Sequence, residues 1–168
     1  MTAAAGATAR AEAAVAFPSA AWFQRLADAM NATRARQEQL GYVDCVAAFT
    51  VLDGAPDGGA LVVQVTFEEF EAVAVRVAGA ADAARADFTL EAPLAVWREM
   101  IENVAAHGGR PDLTHTLNHL SHFGTPIHLA GDDPVRRDAY FRFNQSLQEF
   151  VNASAGFRTA FPDQAAQA

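Results

Sequence analysis

The 168-residue chain is 51% hydrophobic by residue and carries a formal net charge of −8, with Cys45 as its single cysteine. That length and composition suit one globular domain able to bury roughly two-thirds of its unfolded surface. An acidic balance with no block of Lys or Arg argues against a grip on nucleic acid or anionic lipid, a lone cysteine excludes an internal disulfide, and no apolar run approaches the roughly 20 residues that span a bilayer.

Met1 to Ala16 is nearly all Ala, Thr and Gly, interrupted by Arg10 and Glu12. It lacks the early positive charge and unbroken apolar core of a signal peptide, so a flexible leader and a cytoplasmic protein are expected. The folded unit is then residues 17–161, and the tail from Pro162 to Ala168 is expected to fray. Ser19 is a good N-cap for a helix ending near Gly41, with Trp22, Phe23, Leu26 and Met30 buried and Arg34 to Gln39 in solvent. From Tyr42 the period changes to 2, as Val43, Cys45, Ala47, Phe49 and Val51 alternate with smaller or more polar residues.

The turn Asp53-Gly54-Ala55-Pro56-Asp57-Gly58-Gly59 leads to a second strand with Leu61, Val63, Val65 and Phe67 in phase. A third carries Val73, Val75 and Val77, and in a fourth Ala86, Phe88 and Leu90 alternate with Asp87, Thr89 and Glu91. An antiparallel meander with one apolar face is predicted. Pro93 opens a helix with Leu94, Trp97, Ile101 and Val104 on its buried stripe, ended by His107-Gly108-Gly109.

Asp112 can cap a short helix running to Gly124. At roughly 100° per residue its Leu113, Leu117 and Leu120 cluster on one side, and His115, His119 and His122 fall opposite. A strand from Pro126 to Ala130 buries Ile127 and Leu129 and turns His128 away. Asp132-Asp133-Pro134 then opens a helix to about Ser154, striped by Val135, Ala139, Phe143, Leu147 and Phe150, with Tyr140 and Val151 at its edge. Phe141 points elsewhere, as a lone exposed ring or a dimer contact.

These elements give an α+β fold: a single, mainly antiparallel five-stranded sheet with helices packed on one face. In that order, Ala86-Asp87-Phe88-Thr89-Leu90 leading to a Trp97-bearing helix, and Ile127-x-Leu129-x-Gly131-Asp132 before a terminal amphipathic helix, the chain resembles the sterol carrier protein 2 (SCP-2) family of small lipid-binding domains. The resemblance runs from about Trp22 to Val151. It implies an apolar tunnel between sheet and helices for sterols, acyl chains or other lipids. Phe67, Phe88, Trp97, Met100, Ile101, Leu117, Leu120, Phe123, Tyr140, Phe143 and Leu147 would be its ligand-binding residues, although a stripe of such residues is by default ordinary core.

The histidines admit a second reading. His115-x-x-x-His119 puts two imidazoles one turn apart, as two ligands of one Zn²⁺ require, and His122 adds a third. The intervening glutamate of a metalloprotease helix is missing, and three ligands on one helix strain a tetrahedral site. The same three are the candidate catalytic residues for acid–base chemistry, since histidine titrates near pH 6.5. A solvated face is the commoner reading of such residues, followed by uncharged polar contacts to a ligand or partner, with a metal site third. Cys45, in the apolar phase of a strand, reads as an inert core residue.

The expectation is therefore a binding module for a small hydrophobic molecule, with no cofactor. The alternative is an enzyme on the same scaffold using His115, His119 and His122, with a divalent metal such as zinc as its conceivable cofactor. Nucleic acid is excluded as a partner; a homodimer or an enzyme partner stays open.

Overall fold

The computed structural model describes residues 12–122 and 126–162, so Phe123, the turn after it and most of the expected leader and tail lie outside the described residues. A short strand, β1 (Val15–Ala16), precedes helix α1 (Ala20–Asn31), whose N-cap Ser19 accepts a hydrogen bond from the Trp22 amide at 3.1 Å. Trp22, Phe23, Leu26, Ala27 and Met30 are buried on one side of this helix.

The predicted single helix to Gly41 is in fact two, because the Thr33 side chain gives the carbonyls of α1 another partner. Asn31 grips the backbone of Ala72 in both directions, donating from Nδ2 at 3.0 Å and accepting at Oδ1 at 2.9 Å. The Thr33 hydroxyl donates to the Ala29 and Met30 carbonyls, and helix α2 (Arg34–Leu40) restarts beyond it. Such side-chain bonds compete with the helical ladder and end it. Gln37, expected in solvent, is buried.

Strands β2 (Cys45–Leu52), β3 (Leu61–Glu68) and β4 (Glu71–Ala78) form an antiparallel meander. The meander ends there. After a one-turn helix, α3 (Ala80–Ala83), the chain crosses to the far side of β2, where β5 (Phe88–Pro93) pairs with it in parallel, Phe49 opposite Leu90. Period-2 alternation fixes which side chains share a face but not which neighbour a strand takes, so this crossover was not predicted. Ala48, Val62 and Ala86 form a small second core on the face opposite the main helices, with Ala83 of α3 packed against it. β2, thus covered on both faces, has nearly every residue buried rather than alternate ones.

Helix α4 (Leu94–Ala106) buries Trp97, Met100, Ile101 and Val104, as its spacing predicts. Beyond it the expected histidine helix is broken. A 3-10 turn, Leu113–His115, and a one-turn helix, α5 (Leu117–Leu120), are separated by Thr116, which is extended (ψ 151°) and caps α5 by accepting from the His119 amide. Leu113, predicted to face the core, is 85% exposed. Strand β6 (His128–Ala130) pairs antiparallel with β5, and the sheet order is β4-β3-β2-β5-β6.

Asp133 caps and Pro134 opens the next helical stretch as predicted, but it comes in three pieces: α6 (Pro134–Arg137), α7 (Ala139–Arg142) and α8 (Asn144–Asn152). At the second break Phe143 has φ −106° and ψ 16°, outside the α-helical well. Val135, predicted on the buried stripe, is 73% exposed, while Ala139, Tyr140, Leu147, Phe150 and Val151 are buried. A 3-10 turn (Ala153–Gly156) leads to β7 (Thr159–Ala160), which pairs in parallel with β1. Trp22 Nε1 ties this end down by donating to Thr159 Oγ1 at 2.9 Å.

The two family-like motifs meet in space. Asp87 accepts from the Val46 amide at 2.7 Å and from Arg136 Nε of α6 at 2.8 Å. A Cβ on Gly131 would lie 3.1 Å from both the Asp87 carbonyl and Arg137 Cβ, so the side chain there must be small.

Candidate functional site

The inner face of the sheet and the helices over it enclose a single apolar core. Of the predicted lining residues, Phe67, Phe88, Trp97, Met100, Ile101, Leu117, Leu120, Tyr140 and Leu147 all lie in it, and Phe143 is partly buried against it. Phe49 and Phe150, not named as lining, stand at its centre. Phe49 lies 6.2 Å from Trp97, 6.1 Å from Phe150 and 5.0 Å from Phe23 between ring centroids, and Phe150 lies 5.1 Å from Phe67. Phe49 shares the strand phase of Cys45 and Ala47, which was the available signal. These tilted and edge-to-face contacts fill the space between sheet and helices with the chain's own rings. The Trp97 indole donates to the Thr50 carbonyl at 3.1 Å, fixing α4 on β2.

The wall over β5 and β6 differs from the rest. Over β2 and β3 the cover is α1, α4 and α8, of 12, 13 and 9 residues; on Phe88 of β5 it is Tyr140 of α7, a helix of 4 residues, which α5, also of 4 residues, adjoins through Ser121. Tyr140 on α7 is fully buried with its ring 5.5 Å from Phe88, and exposed Phe141 packs edge-on against it at 5.2 Å. The Tyr140 hydroxyl lies 2.6 Å from Ser121 Oγ at the end of α5. Burial raises the phenol's pKa, and side-chain hydrogen bonds with Ser121 and Asn144 work in the opposite sense. Asn144 also lines a 380 Å³ cavity at the surface, together with Arg36, Leu40, Thr116, Asn118 and Gln148. Ser121 and Asn144 were not among the predicted site residues, because no periodicity brings a helix C-cap to the start of another helix. A larger cavity, of 670 Å³, is lined by Ile101, Phe157 and Phe161 near the chain ends.

Cys45 is buried, and burial first, then the carboxylates of Asp87 and Asp44, push its thiol up to about 12. It stays protonated at neutral pH.

The histidines do not form one stripe, because the break at Thr116 removes the helical spacing that would stack His115 on His119. His115 Nδ1 lies 2.7 Å from Asp112 Oδ1 and its Nε2 lies 3.1 Å from Glu99 Oε1 of α4. A carboxylate on each nitrogen favours the charged ring, raising its pKa above the ordinary histidine value, first through Asp112 and then through Glu99. Neither nitrogen is free to take a metal in this arrangement. His119 and His122 are exposed, and among the described residues no three His, Cys, Asp or Glu side chains are grouped to hold a metal ion.

His115 instead fastens the 3-10 turn to α4, with a defined pH dependence. Its folded-state pKa is raised, so its stabilisation is complete below about pH 6.5, the ordinary histidine value, and is lost as pH rises through the raised one. Asp112, whose carboxyl the same pairing holds below the usual range, loses its contribution only at strongly acid pH. The urea midpoint of the natural chain should exceed that of His115→Gln near neutrality and converge on it in alkali. A difference that grows with rising pH would contradict the clamp.

A scan against protein-family models finds no match, and no curated protein sequence matches the chain. Solved structures do match. The crystal structure of a sterol carrier protein 2 superposes with a TM-score of 0.57 at 21% identity, covering 82% of this chain and 95% of that one. The solution structure of a conserved hypothetical protein from Thermus thermophilus, for which a sterol carrier identity is suggested, gives 0.58 at 21% identity, covering 87% and 92%. The chain has the SCP-2 fold. Among the described residues no helix is long and apolar enough to cross a membrane.

Proposed function

We propose that this protein binds a small hydrophobic molecule, such as a lipid, an acyl chain or a sterol-like ring system, between the sheet and the helices, and carries or presents it. The observation that supports this reading is the contrast within the cover: a continuous aromatic interior roofed over β5 by one-turn helices. A one-turn helix holds few backbone hydrogen bonds of its own and takes its stability from packing, so displacing it costs far less than displacing α1 or α4. An incoming apolar molecule re-covers the surface that α5 and α7 uncover as they move out, at about 25 cal/mol per Å² of apolar surface removed from water. The sheet, α1 and α4 stay in place as the rigid part.

Two measurements test this. Native mass spectrometry of the untagged protein as purified should show an added mass of a few hundred daltons that denaturation removes. In Trp22→Phe protein, where Trp97 is the remaining indole, emission should change saturably with an apolar ligand. A bare mass, together with no change across fatty acids, acyl-CoAs and steroids, would rule the reading out.

A further inference from the structure

We infer that Gln148 is a latch: its bond to the Leu117 amide holds α5 closed against the apolar interior, and a ligand enters by breaking it. The inference rests on the proposed binding between sheet and helices, and adds to it what keeps the ligand-free protein shut.

Leu117 is the first residue of α5, a position whose amide N–H has no partner inside the helix. The Thr116 hydroxyl, at the N-cap, accepts from the His119 amide at 3.2 Å. The Leu117 amide is satisfied from outside the helix instead, by Gln148 Oε1 of α8 at 2.7 Å. Gln148 is itself oriented, since its Nε2 donates to Asn152 Oδ1 at 2.8 Å and leaves the oxygen facing α5. Behind this bond Leu117 and Leu120 are buried in the main core.

The other tethers of α5 leave it able to swing. The bond between Ser121 and the Tyr140 hydroxyl, at 2.6 Å, joins α5 to α7, the other moving piece of the cover, and travels with both. His115, fixed to Glu99 of α4 at 3.1 Å, and Ile127, whose amide donates to the Leu120 carbonyl at 2.9 Å, hold the chain on either side of the helix. Gln148 alone joins the body of α5 by a side chain to a part that stays, because α8 is rooted in the core by Leu147, Phe150 and Val151. A bond made only in the closed form depopulates the open one. It therefore lowers the apparent affinity of any ligand that needs the open form, by the same factor.

Gln148→Leu removes the acceptor and Gln148→Glu keeps one. In the full ligand-free chain the Leu120 and Ser121 amides bond to the Thr116 and Leu117 carbonyls. They should exchange with deuterium about fivefold to tenfold faster in Gln148→Leu, with the far-ultraviolet circular dichroism unchanged. Nonane, titrated by Trp97 emission in a Trp22→Phe background, should bind Gln148→Leu about fivefold to tenfold more tightly and Gln148→Glu about as the natural residue does. Loss of a residue that merely shapes the site would weaken binding instead. Unchanged exchange, nonane bound no more tightly by Gln148→Leu, or Gln148→Glu matching Gln148→Leu would overturn the latch while leaving apolar binding intact. Nonane binding to none of the three proteins would overturn the proposed function, and this inference with it.

Discussion

Phe49→Ala is expected to lower the unfolding free energy by about 3–5 kcal/mol, the usual cost of truncating a fully buried phenylalanine whose surroundings relax only in part. Phe49 is inaccessible to solvent and meets rings from three separate helices: Phe23 on α1, Trp97 on α4 and Phe150 on α8. No neighbour can close the gap without abandoning another contact. Urea unfolding followed by far-ultraviolet circular dichroism measures the loss. A decrease below about 1 kcal/mol would mean that the interior is not close-packed around this ring. The same variant bears on binding, because a cavity lined by apolar groups stays dry and accepts small apolar molecules. Nonane should therefore restore part of the lost stability.

Asp87→Ala should cost about 2–3 kcal/mol, for a different reason. The Asp87 carboxylate receives the Val46 amide at 2.7 Å, and the Asp87 amide in turn donates to the Val46 carbonyl at 2.8 Å, so this residue fastens the start of β5 to β2. Alanine leaves the Val46 N–H without its acceptor, whereas Asp87→Asn keeps an acceptor oxygen and should lose about half as much. The bond to Arg136 contributes less, since that side chain is half exposed and ion pairs in solvent bring about 0–1 kcal/mol. A double-mutant cycle with Arg136→Ala separates the two. Coupling near the full loss would show that the ion pair, rather than the backbone bond, carries the effect.

Much of this arrangement was legible in the residues. Ser19 and the Asp133-Pro134 pair announce helix starts through bonds that need no distant partner, and both are present. The buried face of α4 and the phase of β2 and β3 follow from periods of 3.6 and 2, which reflect local backbone geometry. Of the residues that the SCP-2 resemblance nominated, Phe67, Phe88, Trp97, Met100, Ile101, Leu117, Leu120, Tyr140 and Leu147 are buried, and the fold comparison agrees with the resemblance.

The sequence by itself determined the α+β class, the apolar inner face of the sheet and the acidic balance that argues against nucleic acid, because composition and short-range period specify them. Tertiary structure alone decided where β5 lies, where the histidine helix breaks and what the histidines do. Strand neighbours are chosen by which crossover buries both faces of β2, with Ala48, Val62 and Ala86 sealing the outer one. Thr116 interrupts a stretch whose local pattern favours continuous helix, and there Gln148 of α8 accepts from the Leu117 amide at 2.7 Å, a donor that an unbroken helix would have kept for its own ladder. His115 becomes a clamp because Glu99, 16 residues away in sequence, reaches its second nitrogen. Each of these outcomes turns on a contact between residues far apart along the chain, and a pattern read along the chain carries no record of such contacts.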